Sequence, residues 1–338
     1  MNTEKTEVAE SRKTSHIELT FKSQVEKLDD RFYYEPMLSG HPSGELEPVD
    51  FCGKQMAYPI WVSSMTGGAE LAGQINKNLA EAVAKYGLGM GLGSCRQLLD
   101  SDKFFDDFNL RPILGSNVPL FANIGIAQVE QLIKLGELKR LEDMVGKLDA
   151  DGIFLHVNPL QEWMQPEGDI YHISPLEAVK QMLEETSLNI IVKEVGQGFG
   201  YESLKELFKL PLAGIDFAAH GGTNFSQIEL HRNTEEANEL MSPMVFVGHT
   251  ANEMVELTNK VVEELGSQRM CNQVIISGGI KNYLDGYYLT EKINVPAIYG
   301  QASKFLKAAL ESPEYLDRYV QGQIEGLKIA NALLRIKR

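Results

Sequence analysis

Seven consecutive residues, HVNPLQE from His156 to Glu162, put an imidazole, two amides and a carboxylate directly after the apolar run GIFL. On a strand, residues i and i+2 point the same way, so His156 and Asn158 share a face before Pro159 turns the chain. Glu162 is the one carboxylate of the seven. That suits Mg2+, an ion commonly held by one or two protein carboxylates together with substrate phosphates. Gln161 has no useful acidity near neutrality, so its part would be orientation by hydrogen bonds. The other reading of the stretch is a Pro-stiffened turn whose polar groups merely satisfy the backbone.

Lys193 lies inside the apolar run NIIVKEVG. A lysine in a buried strand needs a partner or a task. It would either pair with Glu194 or another barrel carboxylate, or face a cofactor ring or phosphate. Glycine-rich turns follow two late apolar runs, GGI at Gly278 to Ile280 and YGQAS at Tyr299 to Ser303, where backbone amides can cradle a phosphate. Arg12, Lys13 and His16 in RKTSHIEL, with Arg96, are cations that could grip a diphosphate as forks and point charges.

These residues must be positioned by something regular. Eight apolar runs recur: PIWVSSMTGG, LGMGLGS, PLFANIG, GIFLHVN, NIIVKEVG, GIDFAAHGG, QVIISGG and PAIYGQA. Their near-continuous apolarity suits parallel strands buried on both faces. Helical patterns alternate with them. In one, Ile75, Leu79, Val83 and Tyr86 share a face and Gly87 stops the helix; another opens SPLE at Ser174 with Pro175 at its first position. Eight such units, with no GxGxxG after the first strand, predict a (β/α)8 TIM barrel rather than an open doubly wound sheet. Polar residues closing the runs would then ring the barrel mouth: Thr66, Gly67, Ser94, Arg96, Asn123, His156, Asn158, Lys193, Thr223, Asn224, Ser277 to Gly279, Ala302 and Ser303. A ninth run, MVFVGHT at 244–250, is assigned to an inserted loop segment. Residues 1–58 form an N-terminal extension and 59–338 the barrel, one domain overall, ending in a helix that opens at Ser312 and Pro313.

A formal charge of −15 argues against a nucleic-acid or anionic-membrane surface, since both need a broad Lys/Arg field. Three scattered cysteines, Cys52, Cys95 and Cys271, suggest neither a disulfide framework nor a zinc site. No apolar run is long enough for a signal sequence or a bilayer span, so a cytoplasmic protein is expected.

RKTSHI, SSMTGG, GSCR, ANIG, HVNPLQE with QPEGD, KEVG, GGTN, SGGI and FLKAA stand in the order found in type 2, flavin-dependent isopentenyl diphosphate isomerases. The chain resembles that family over almost its whole length. The resemblance implies reduced FMN at the mouth, commonly supplied through NADPH, contacted by Met65, Thr66, Gly67, Ser94, Asn123, Lys193, Thr223, Gly278, Gly279, Ile280, Ala302 and Ser303. It implies a substrate diphosphate met by Arg12, Lys13, His16, Ser94, Arg96, His156 and Asn158, with Gln161 as the catalytic residue beside the reacting carbons and Glu162 as the Mg2+ ligand. The implied reaction is the 1,3-allylic proton shift between isopentenyl and dimethylallyl diphosphate, without net redox change, in a homotetramer or homo-octamer. The chain departs from the family at Cys95, where glutamine is common, at Ala218, where serine or glycine is frequent, and at Tyr283, which replaces a glycine.

Two other classes share parts of this pattern. An FMN-dependent barrel oxidoreductase of the 2-hydroxy-acid oxidase type would need a histidine base near a late strand, for which His220 or His249 would have to serve. A non-catalytic flavin or isoprenoid-diphosphate sensor would have no need of Gln161 and Glu162.

Overall fold

The computed structural model describes residues 2–64 and 70–337, with side chains for residues 11–64 and 71–337. Each of the eight apolar runs supplies one strand: β1 (Ile60–Val62), β2 (Gly89–Gly91), β3 (Leu120–Gly125), β4 (Gly152–His156), β5 (Ile190–Lys193), β6 (Gly214–Asp216), β7 (Val274–Ile276) and β8 (Ala297–Gln301). They close into a parallel barrel in chain order, with β8 returning to β1 so that Gln301 faces Val62. The expected (β/α)8 architecture is therefore present.

Local signals set the helices. Glu70–Tyr86 buries Ile75, Leu79 and Val83, and Gly87 ends it in the left-handed region at φ 63. Ser174 caps Pro175–Glu185 by accepting from the Glu177 N–H, and Ser312 caps Pro313–Leu333 by accepting from the Tyr315 N–H. The ninth apolar run stays outside the barrel: Ser242–Phe246 is a 3-10 turn, and Thr250 forms an isolated bridge with His220.

The N-terminal extension has three parts. The leader is a helix, Asn2–Leu19, followed by a 3-10 turn, Thr20–Lys22. Strand Phe32–Tyr34 pairs antiparallel with Leu334–Ile336. A hairpin, Val49–Phe51 and Lys54–Met56, closes the barrel floor. Its Phe51 and Met56 are wholly buried with Trp61, Phe121 and Phe154, and the Cys52 N–H donates to Gln273 Oε1 at 2.9 Å just ahead of β7. The floor is thus built partly from residues before the first barrel strand.

Large and small residues alternate in the interior. Trp61 fills the centre because β2 presents glycine there: a Cβ on Gly89 would lie 2.3 Å from the indole. Gly89→Ala is expected to cost about 3 kcal/mol, the upper range for overpacking a rigid core, read as a lowered urea midpoint. Among the described residues no helix is long and apolar enough to cross a membrane, and all three cysteines are free.

Candidate active site

Period-2 alternation along the strands stacks two kinds of layer inside the barrel. Trp61, Phe121, Phe154, Ile191, Ile275 and Ile298 form an apolar layer. Two residues further along the same strands stand Ser63, Asn123, His156, Lys193, Ser277 and Gly300, with Asp216 on β6. The interior thus changes from apolar to polar and ionisable within one step.

This polar layer is internally wired. Asn123 Nδ2 donates to the Leu92 carbonyl at 3.0 Å, which turns its Oδ1 to His156 Nδ1 at 2.8 Å. His156 therefore carries its hydrogen on Nδ1 and keeps the Nε2 lone pair. Burial pushes the imidazole pKa down to about 3, and the Lys193 charge adds to this. The stability gained from a neutral His156 is present above about pH 6.5 and is lost as pH falls towards its folded value of about 3. His156→Gln is expected to flatten the urea-stability profile across that window, by up to about 1.4 kcal/mol per pH unit.

Lys193 Nζ donates to the Glu194 carbonyl at 3.1 Å. The Glu194 carboxylate instead accepts from the N–H groups of Gly196, Gln197 and Gly198, so the sequence-adjacent ion pair does not form. Strand register places Lys193 between His156 and Asp216. Burial lowers the lysine pKa, while Asp216 and Glu194 oppose that shift. Burial pushes Asp216 up to about 6, against the pull of Lys193 and the Ser277 hydroxyl.

Above this layer opens a cavity of about 510 Å³. Lys193, Thr223, the turn Gly278, Gly279 and Ile280, and Ala302 with Ser303 all line it, which brings together most of the expected flavin contacts. Gly278 and Gly279 have φ of 88° and 74°, and helix Ser303–Glu311 begins at the cavity wall. Met65, Thr66 and Gly67 lie outside the described residues. Ala218, with φ 40°, donates its N–H to Ser277 Oγ. Tyr283 packs instead against Gly326, where no side chain stands in its way.

A second cluster follows β4. Pro159 opens the short helix Pro159–Met164, and the buried Asn158 just before it donates through Nδ2 to Gln161 Oε1 at 3.0 Å and Glu162 Oε1 at 2.9 Å. The Tyr171 hydroxyl donates to Asn158 Oδ1 at 2.8 Å. Glu162 Oε2 accepts from the Asp169 N–H, and Gln161 Nε2 donates to Glu229 Oε1 at 3.1 Å. Arg96 approaches Asp169 at 3.7 Å, and Ser94, two residues earlier in the chain, is exposed. Arg12, Lys13 and His16 are exposed on the leader helix.

A Rickettsia felis protein named isopentenyl-diphosphate delta-isomerase is 36% identical over 328 residues, covering 94% of this chain and 90% of that protein. The chain belongs to the isopentenyl-diphosphate delta-isomerase family. Its Rickettsia prowazekii isomerase relative, under the same name, is 33% identical over 332 residues, covering 94% and 91%. No family profile matches the chain. Solved structures of similar fold include a flavocytochrome b2 variant with sulfite bound, at TM-score 0.60, 13% identity and coverage of 89% and 72%. A mandelate oxidase variant with a monooxide FMN adduct has TM-score 0.54, 13% identity and coverage of 91% and 89%. At such identity they speak to the fold alone.

In this isopentenyl-diphosphate delta-isomerase family member, sequence reasoning missed Glu229, Tyr171, Asp216 and Ser63. Glu229 sits on helix Phe225–Arg232, 68 residues from Gln161, and no local pattern announces the contact. Asp216 carried a signal that went unread: it closes the run GID on the inward parity, as Lys193 does on its own strand.

Proposed function

We propose that the barrel isomerises isopentenyl diphosphate to dimethylallyl diphosphate with reduced FMN and Mg2+. The observation that carries this reading is the pairing of a glycine-lined cradle at the ends of β7 and β8 with the Asn158–Gln161–Glu162 cluster after β4. The flavin fits the residues present. Two positive-φ glycines and the start of a nine-residue helix offer backbone N–H groups to a phosphate, and Lys193 faces the same cavity. When bound, the reduced flavin would supply the group that gives and takes the proton.

The chain's own residues do the rest. Lys193 and Thr223, which line the cavity, would offer the flavin a positive charge and a hydroxyl; Ser94 and Asn123 stand outside that lining, Asn123 with its amide committed to Leu92 and His156. Gln161, held by Asn158 and Glu229, orients the alkene beside the flavin. Glu162 holds Mg2+. No three metal-ligating side chains gather among the described residues, which fits an ion that leans on one carboxylate and the substrate's phosphates. Arg96 and His156, with Arg12, Lys13 and His16 of the leader, take the diphosphate, while Asn158, whose amide hydrogens go to Gln161 and Glu162, braces the loop beside it. His156 donates to it only after gaining a second proton, which the incoming negative charge favours. One carbon gains a proton and another loses one, so no electrons are transferred. In this reading the enzyme is cytoplasmic, a homotetramer or homo-octamer, and NADPH serves only to bring its flavin to the reduced, active form.

The test is direct. Purified protein is incubated with FMN, a reductant, Mg2+ and isopentenyl diphosphate, and dimethylallyl diphosphate is followed. Turnover of a 2-hydroxy acid with oxidised flavin, or ligand binding with no product, would overturn the reading.

A further inference from the structure

Three buried side-chain oxygens at the barrel mouth have no hydrogen-bond partner among the described residues: Ser63 Oγ, Ser64 Oγ and Asp216 Oδ2. All three residues line the 510 Å³ cavity. Buried polar atoms are nearly always paired, so three orphans on one cavity point to partners that arrive from outside.

Their chemistry says what those partners carry. Asp216 Oδ1 is taken by the Ser277 hydroxyl, and Ser277 Oγ already accepts from the Ala218 N–H at 2.9 Å, so Ser277 has no further hydrogen to give. Asp216 Oδ2 is thus the carboxylate oxygen left open to a donor from a ligand. Ser63 and Ser64 can both give and accept. Glycines keep bare backbone beside them: a Cβ on Gly300 would lie 2.6 Å from Ser63 Oγ, and one on Gly91 2.8 Å from Ser64 Oγ. A carboxylate would repel a phosphate, and an isoprenoid chain has no polar hydrogen to offer. A row of one acceptor and two hydroxyls matches a chain bearing several hydroxyls.

We propose that Ser63, Ser64 and Asp216 form a subsite for the sugar-alcohol chain of the flavin. Asp216 accepts one of its hydroxyls, and the two serines bridge the others. Lys193, in register with Asp216, offsets the carboxylate charge. The subsite rests on the reading that FMN occupies this cavity.

The test compares two ligands by quenching of flavin fluorescence on the full chain: FMN, and a flavin phosphate of the same ring and chain length without chain hydroxyls. Asp216→Asn is expected to weaken FMN binding roughly ten- to a hundredfold, and Ser63→Ala with Ser64→Ala roughly tenfold. Binding of the hydroxyl-free flavin should change less than about twofold in either variant. Equal losses for the two ligands, or unchanged FMN affinity in a folded variant, would overturn the subsite. Should Asp216→Asn fail to fold by circular dichroism, the serine variant and the wild type decide. A wild-type chain that holds both ligands equally tightly also overturns it. No FMN binding by the wild type at all would instead remove the flavin reading on which it rests.

Discussion

Glu162→Gln is expected to slow formation of dimethylallyl diphosphate by roughly a hundred- to thousandfold while FMN remains bound. Glu162 stands on the short helix after β4 and does not line the glycine-walled cavity, so its loss should spare the flavin. Glutamine keeps the length of the side chain and an oxygen that can accept from Asn158 Nδ2 or the Asp169 N–H, so the loop keeps part of its bracing. What disappears is the negative charge, and with it the protein's share of a divalent ion. The rate of the variant should no longer respond to Mg2+. Gln161→Ala should lose isomerisation as well, with flavin retained, because in the proposed reaction the amide held between Asn158 and Glu229 orients the substrate. A variant of Glu162 that still saturates with Mg2+ at near wild-type rate would remove the metal role; one that sheds its flavin would show that the two halves of the site are not separate.

Gly278→Ala is expected to abolish flavin binding, whereas its neighbour Gly279→Ala should leave a folded, flavin-binding protein. Both residues have positive φ, 88° and 74°, so both substitutions carry backbone strain of about 1 kcal/mol or more. They differ in space. A Cβ on Gly278 would lie 2.1 Å from the Ala219 carbonyl oxygen and 2.2 Å from the Ala219 nitrogen, whereas one on Gly279 would come no nearer than 3.4 Å to anything. Backbone cannot yield as a flexible side chain can. The turn after β7 must therefore pull away from β6, moving the amides that face the cavity. Flavin content after purification, with thermal unfolding as the control for fold, measures both. Equal flavin content in the two variants would place the phosphate elsewhere.

Much of this arrangement was legible before any coordinates. Each apolar run became one strand because parallel strands are covered on both sides and have no polar face to obscure them. Parity did more. His156 and Lys193 end their strands on the inward side, as spacing required, and the same rule applied to GID would have picked out Asp216. Contacts across the mouth could not be read this way. The Gln161–Glu229 bond and the Tyr171 brace on Asn158 depend on where two loops meet after the barrel has closed. The floor hairpin was missed for a related reason. Phe51 and Met56 look like ordinary extension residues until the apolar ends of β1, β3 and β4 are seen to need a cover.

Strand Phe32–Tyr34 is held by Leu334–Ile336, with the Glu35 N–H bonded to the Leu333 carbonyl and the Lys337 N–H bonded to the Arg31 carbonyl. During synthesis every barrel strand has emerged before that partner exists. Every residue lining the cavity under Gly278 and Ser303 thus precedes the partner that holds Phe32–Tyr34, the strand that follows the leader with Arg12, Lys13 and His16. The residues that line the cavity therefore precede, in the order of synthesis, the segment that pins the N-terminal extension to the rest of the fold.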